Sequence, residues 1–117
     1  MTMQKKLLVI EDDEQMVSLY QTALARFGQV QVVGSLAQAR AQLPGADLIL
    51  LDYHLEDEAV KFQDLVPELT RHAPVLLCSG VFDPQVPALG AKLGVAGYWN
   101  KVEPLDKLLQ LVERTLG

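Results

Sequence analysis

Short apolar runs alternate with stretches whose apolar positions recur every three or four residues, and the alternation repeats five times along the chain. Lys6-Leu7-Leu8-Val9-Ile10 and Leu48-Ile49-Leu50-Leu51 are apolar on both faces and predict buried strands of a parallel sheet. After Asp13, Met16, Tyr20, Ala23 and Phe27 share one helical face, with Gly28 as the stop. Val30 to Val33 predicts a second, short strand. Ser35 suits a helix cap, Leu36, Ala39 and Leu43 form one face behind it, and Pro44-Gly45 ends that helix. The third strand spans 46–52, and the polar residues 53–58 predict a loop.

The second half repeats the pattern. Phe62, Leu65, Val66 and Leu69 mark a third helix with Pro67 inside it. Proline there predicts a late start near Asp64 or a kink. Pro74 opens a fourth strand that runs to Cys78 and ends in Ser79-Gly80. Asp83-Pro84 is a cap followed by proline at the first helical position, and Ala88, Leu89 and Leu93 continue that helix to Gly94. Val95 to Asn100 predicts a fifth strand ending at Lys101; Tyr98 and Trp99 would point to opposite faces. Pro104 starts a last helix with Leu105, Leu108, Leu109 and Val112 inward. Five strands alternating with five helices predict a doubly wound parallel α/β sheet, one domain over 1–117. With the fifth helix reaching the last residues, no output domain is expected on this chain.

Composition narrows the function classes. At 117 residues and 50% hydrophobic, the chain can build a real core. A net charge of −5 with no basic stripe argues against direct nucleic-acid binding. The lone Cys78, inside an apolar run, excludes a disulfide framework and predicts a buried thiol in a reducing compartment. The first residues lack the apolar core of a signal peptide, and no apolar stretch has the length of a membrane span. The expectation is a soluble cytoplasmic protein without membrane contact.

The chemistry lies where strands end. The first strand runs into Glu11-Asp12-Asp13 and the third into Asp52. Ligand sites of open α/β sheets lie at these carboxyl ends. Side by side they would gather four carboxylates, and a hard divalent cation such as Mg²⁺ is the natural occupant. Singly, each group has a duller use. Asp12 and Asp13 could cap a helix, Ser79 could form a turn, Lys101 could be a solvated charge, and Tyr98 a half-buried strand aromatic.

Together, Glu11-Asp12, Asp52, Ser79 and Lys101, each at a strand end and in this order, resemble the receiver domain of two-component response regulators over essentially the whole chain. The resemblance implies a flavodoxin-like sheet of order 2-1-3-4-5. It implies phosphorylation of Asp52 by a sensor histidine kinase or phosphotransfer protein, with Mg²⁺ held by Asp12, Asp52 and the backbone carbonyl of His54. Glu11 would act as a reserve ligand or through water. Lys101 would pair with Asp52 and then with the phosphoryl group, to which Ser79 would donate a hydrogen bond. Tyr98, three residues before Lys101, matches the aromatic switch position. Output would pass to a downstream protein, or to self-association, through the face made by the fourth helix, fifth strand and fifth helix. The only chemistry would be the protein's own phosphorylation and dephosphorylation.

Departures from that pattern fall in loops. The run Tyr53-His54-Leu55-Glu56-Asp57-Glu58 lacks the usual proline and glycine, the segment between Asp52 and Ser79 is short, and Val102 replaces a proline after Lys101. A cis bond before Val102 would be expensive, so that loop should follow another path. A degenerate receiver that only binds partners is the rival reading, but it would be expected to lack Asp52, Lys101 or the acidic pair. A haloacid dehalogenase-type phosphatase needs a second aspartate where His54 stands, and the glycine-rich signature of P-loop nucleotide binders is absent.

Overall fold

The computed structural model describes residues 4–54, 62–80 and 83–117. Its elements are β1 (Lys5–Ile10), α1 (Glu14–Ala23), a 3₁₀ turn (Ala25–Phe27), β2 (Gly28–Val33), α2 (Leu36–Gln42), β3 (Leu48–Asp52), α3 (Phe62–Thr70), β4 (Val75–Ser79), α4 (Gln85–Leu93), β5 (Gly97–Asn100) and α5 (Leu105–Leu116). The five strands are parallel in the order β2-β1-β3-β4-β5. This is the doubly wound sheet expected from the sequence. Each crossover carries a helix, because parallel neighbours cannot be joined by a tight turn.

Strand alternation divides the core in two. Leu7, Val9, Leu48, Leu50, Leu76, Cys78 and Trp99 pack with Tyr20 and Leu24 of the α1 side and with Leu108 and Val112 of α5. Leu8, Ile10, Ile49, Leu51, Val75 and Leu77 pack with residues of α2, α3 and α4 on the other face. Every residue of β3 and β4 is buried. Each leucine so buried contributes about 1.5–3 kcal/mol relative to exposure. Trp99 and Tyr98 do face opposite sides. Burial drives the Cys78 thiol up to about 12, so it is a core group and not a nucleophile. No helix among the described residues is long and apolar enough to cross a membrane.

Several local expectations hold. Asp13 caps α1 by accepting the N–H groups of Gln15 and Met16, and Ser35 caps α2 through Gln38. The Asp83 carboxylate does accept the Gln85 N–H at 2.9 Å, but α4 starts one residue later than expected, at Gln85, with Pro84 in the cap position. Gly94 closes α4 in the left-handed region at φ 91°.

Others need correction. The first helix ends at Ala23, and Phe27 belongs to the 3₁₀ turn that follows. Gly28 is therefore not its stop but the first residue of β2, where a Cβ would lie 2.2 Å from the Lys5 carbonyl oxygen. The third helix is already formed at Phe62 and continues through Pro67, so a late start near Asp64 does not occur. Ala88 is exposed; Val86 and Gly90 are the buried positions of α4. In the expected loop over 53–58, residues 55–58 lie outside the described residues.

Candidate functional site

Strand parity brings three charges together. Val9, Leu50 and Trp99 all face the α1–α5 layer. Side chains two residues further on therefore leave the sheet on that same side, and they are Glu11, Asp52 and Lys101. Register puts them level. Ile10 pairs with Leu51, so Glu11 falls beside Asp52. The Lys101 N–H donates to the Ser79 carbonyl at 2.7 Å and carries the β4–β5 ladder one step past its last pair.

Lys101 Nζ donates to Glu11 Oε1 at 2.7 Å and to Asp52 Oδ1 at 3.1 Å. Glu11 is 1% exposed and Asp52 6%. The expected Lys101–Asp52 pair is present, but the shorter contact is to Glu11, which sequence reasoning had assigned to the metal alone. Burial raises the Glu11 carboxyl to about 7; the hydrogen bond and charge of Asp52 add to this, and Lys101 opposes it. Burial acts to lower the Lys101 ammonium, yet the bond to Glu11 and the charge of Asp52 outweigh it, and the group ends above its ordinary range.

A raised carboxyl couples stability to pH. The folded protein binds the Glu11 proton more tightly than the unfolded chain, whose carboxyl titrates near 4.5. The stabilisation is thus complete below pH 4.5 and is lost as pH rises through about 7. Urea unfolding of the metal-free protein should show stability falling by a few kcal/mol across this window. In Glu11→Gln that slope should flatten. A wild-type profile as flat as that of the variant would refute the assignment.

Asp12 is exposed, and its N–H donates to Glu11 Oε2 at 3.2 Å. One oxygen from each of Glu11, Asp12 and Asp52 lies within 4.8 Å of the others. Three carboxylates against one ammonium leave two negative charges when all are ionised. The hard oxygen donors, this charge and an edge open to solvent through Asp12 fit a divalent cation that keeps part of its water shell, as Mg²⁺ does.

Ser79 is fully buried at the end of β4, and its hydroxyl lies 3.3 Å from His54 Nε2. His54 is exposed, as expected of a loop residue, and its N–H donates to Asp52 Oδ1 at 3.2 Å. The ring contact was not foreseen. Tyr98 is half-buried on the opposite side of β5 from Trp99. It lines a largely apolar groove of about 330 Å³ with Pro84, Pro87 and Val102, edged by Asp83 and Glu103.

The loop after Lys101 does take another path, with no cis bond among the described residues. Asn100 Oδ1 accepts the Val102 N–H at 3.0 Å, the Asn100 carbonyl accepts the Glu103 N–H at 2.9 Å, and Trp99 Nε1 donates to the Pro104 carbonyl at 3.3 Å.

No family model matches the sequence. No curated protein matches it either. Solved structures do. The BeF3-activated receiver domain of DrrB superposes with a TM-score of 0.83 at 21% identity, covering 97% of this chain and 98% of that one. The non-phosphorylated HemR receiver domain from Leptospira biflexa gives 0.82 at 23% identity, covering 97% and 95%. The BeF3-activated N-terminal receiver domain of Klebsiella pneumoniae RstA gives 0.78 at 25% identity, covering 96% and 98%. The fold is that of response regulator receiver domains.

Proposed function

We propose that this chain is a phosphorylatable receiver: Asp52 accepts a phosphoryl group from a phosphohistidine of a sensor kinase or phosphotransfer protein, and the change is passed on through a protein-binding face. The observation that carries this reading is the convergence of Asp52, Glu11 and Lys101, with Asp12 beside them, at one edge of a receiver-type sheet.

The residues divide the work. An Asp52 carboxylate oxygen attacks phosphorus; the new O–P bond forms as the donor N–P bond breaks, and the electron pair returns to the donor imidazole. Such transfers ask mainly for alignment and charge neutralisation. Lys101, already on Asp52, is placed to follow the charge onto a phosphoryl oxygen. The Ser79 hydroxyl, at the neighbouring strand end, donates to another. Mg²⁺, held by Asp12, Asp52, Glu11 and the His54 carbonyl, would neutralise charge shared by acceptor and phosphoryl oxygens. Water attack on the acyl phosphate restores Asp52, so the chain acts on no substrate but itself.

The output face in this reading is α4, β5 and α5. Asn100 pairs with Ser79, and Tyr98 lies two residues before it on the same side of β5. A shift of Ser79 or Lys101 toward the phosphoryl group would therefore reach the groove beside Tyr98. Its protein partner, or a second copy, would bind there. A cytoplasmic location belongs to the same proposal, with the reduced, buried Cys78 as its structural support.

The test is incubation with a small phosphodonor and Mg²⁺, read by intact mass. One phosphoryl group should be added, and chelation should prevent it. Asp12→Asn should lower Mg²⁺ affinity by calorimetry and slow the reaction. An adduct that forms equally well in the presence of chelator, or unchanged affinity in Asp12→Asn, would overturn the site as drawn.

A further inference from the structure

The two outer strands of the sheet are guarded differently. Among the described residues, β2 pairs only with β1 and β5 only with β4. Each outer strand therefore has a row of main-chain groups turned away from its neighbour. On β5 that row ends against a charge. The Lys101 N–H binds Ser79, so the Asn100 N–H points outward, and the Glu103 carboxylate accepts it at 3.2 Å. On β2 the Val33 carbonyl accepts the Glu11 N–H, so Gln29, Gln31 and Val33 serve the β1 ladder. Val30 and Val32 then direct their N–H and C=O groups outward. The next outward N–H, on Gly34, is closed by the Gln38 side chain at 3.0 Å. The strand Gly28-Gln29-Val30-Gln31-Val32-Val33 has no charge and no proline, the usual devices that keep an open edge from pairing.

We propose that the β2 edge is an interface with a second copy of this chain, the two β2 strands running antiparallel about a twofold axis at Gln31. Groups that point to a shared edge must face each other, so Val30 of each copy pairs with Val32 of the other. Each such pair exchanges two main-chain bonds. Valine then lies opposite valine on the face packed against α1 and α5, and Gln31 opposite Gln31 on the face packed against α2. Charge favours the antiparallel sense. Glu11 to Glu14 follow the end of β1, whereas Lys5 opens β1 and Arg26 lies just before β2. An antiparallel copy brings the acidic end of each chain toward the basic end of the other, and a parallel copy would bring like toward like. The contact is isologous and closes at two copies. It joins two five-stranded sheets edge to edge and leaves β5, with the groove beside Tyr98, on each outer side.

Sedimentation of the full chain over a concentration series, without phosphodonor, should show a monomer–dimer equilibrium. Amide exchange at Val30 and Val32 should slow as concentration rises. Val30→Pro removes an outward N–H and none that serves β1, so the monomer should fold and the dimer should be lost. Gln31→Lys and Gln31→Glu each set like charges across the axis and should weaken the dimer roughly 2- to 5-fold. Mixing these two variants sets opposite charges there and should restore wild-type affinity or exceed it.

A monomer at every concentration, a dimer indifferent to the three substitutions, or a mixture no tighter than either Gln31 variant alone would each overturn the proposal. Circular dichroism checks folding, and if Val30→Pro does not fold, the two Gln31 variants decide. None of these measurements depends on whether Asp52 accepts a phosphoryl group, so that reading is tested separately.

Discussion

Asp52→Asn should abolish the phosphoryl adduct completely, the largest functional effect expected of any single change. The other carboxylates near the site are poor substitutes for different reasons. Glu11 is buried under Lys101 with its carboxyl raised to about 7, so part of it is protonated at neutral pH and its attacking oxygen is engaged. Asp12 is exposed, and Lys101 bonds to Glu11 and Asp52 instead. Asp13 already caps α1. Asparagine keeps the shape of Asp52 and removes the nucleophile. It also removes one of the charges that raise Glu11. Metal-free Asp52→Asn should therefore be at least as stable as wild type at pH 8, and its Glu11 carboxyl should return toward the ordinary range. Intact mass after phosphodonor treatment and urea midpoints at pH 8 check the two halves. A full adduct on the variant would mean that the acceptor is elsewhere. A clear loss of stability would mean that Asp52 is held by more attraction than repulsion in the resting protein.

Much of this site could be read from residue order, and the unread part has physical reasons. Leu48 to Leu51 are apolar on both faces, and in a chain this short only a strand covered on both sides uses such a run. The polar group ending each run then had to lie at the sheet edge. What order along the chain does not give is register. Glu11 and Asp12 are adjacent, and only the Ile10–Leu51 pairing and the parity of Val9 decide that Glu11 turns inward beneath Lys101 while Asp12 stays at the surface. Gly28 was misread because a helix stop and a close strand approach both call for the same residue. Ala88 was misplaced because alanine carries little hydrophobic signal, and one of the two buried positions of α4, Gly90, carries none. A Cβ there would come within 3.0 Å of Leu77 Cδ2. The His54 ring contact depends on the path of the chain after Asp52, which strand periodicity does not encode.

Lys101→Met should separate chemistry from response. The ammonium is the shared partner of two buried carboxylates, at 2.7 Å and 3.1 Å. Stranding a buried charge by removing its partner costs about 3–5 kcal/mol when the remaining group stays ionised. Glu11 has a cheaper escape, because its carboxyl is already raised to about 7 and each further pKa unit is worth about 1.4 kcal/mol. At pH 6 the variant should take up a proton on Glu11 and lose little stability. At pH 8 that route is costly and the loss should be larger, or Mg²⁺ should become necessary for full stability. Urea midpoints at the two pH values, with and without Mg²⁺, measure this directly. Phosphorylation of Asp52 should persist at a reduced rate, since the nucleophile and its metal ligands remain. The response should not persist. A bound group shifts a two-state equilibrium only by its differential affinity for the states, and Lys101 is one of two protein side chains proposed to bond the phosphoryl oxygens. Beryllofluoride-induced NMR shifts at Tyr98 and Val102, and any change in molecular mass by sizing, should therefore be much smaller than in wild type. Equal stability loss at pH 6 and pH 8 would show that Lys101 and Glu11 are not coupled as described. Undiminished shifts at Tyr98 would show that the output face is driven through Ser79 alone.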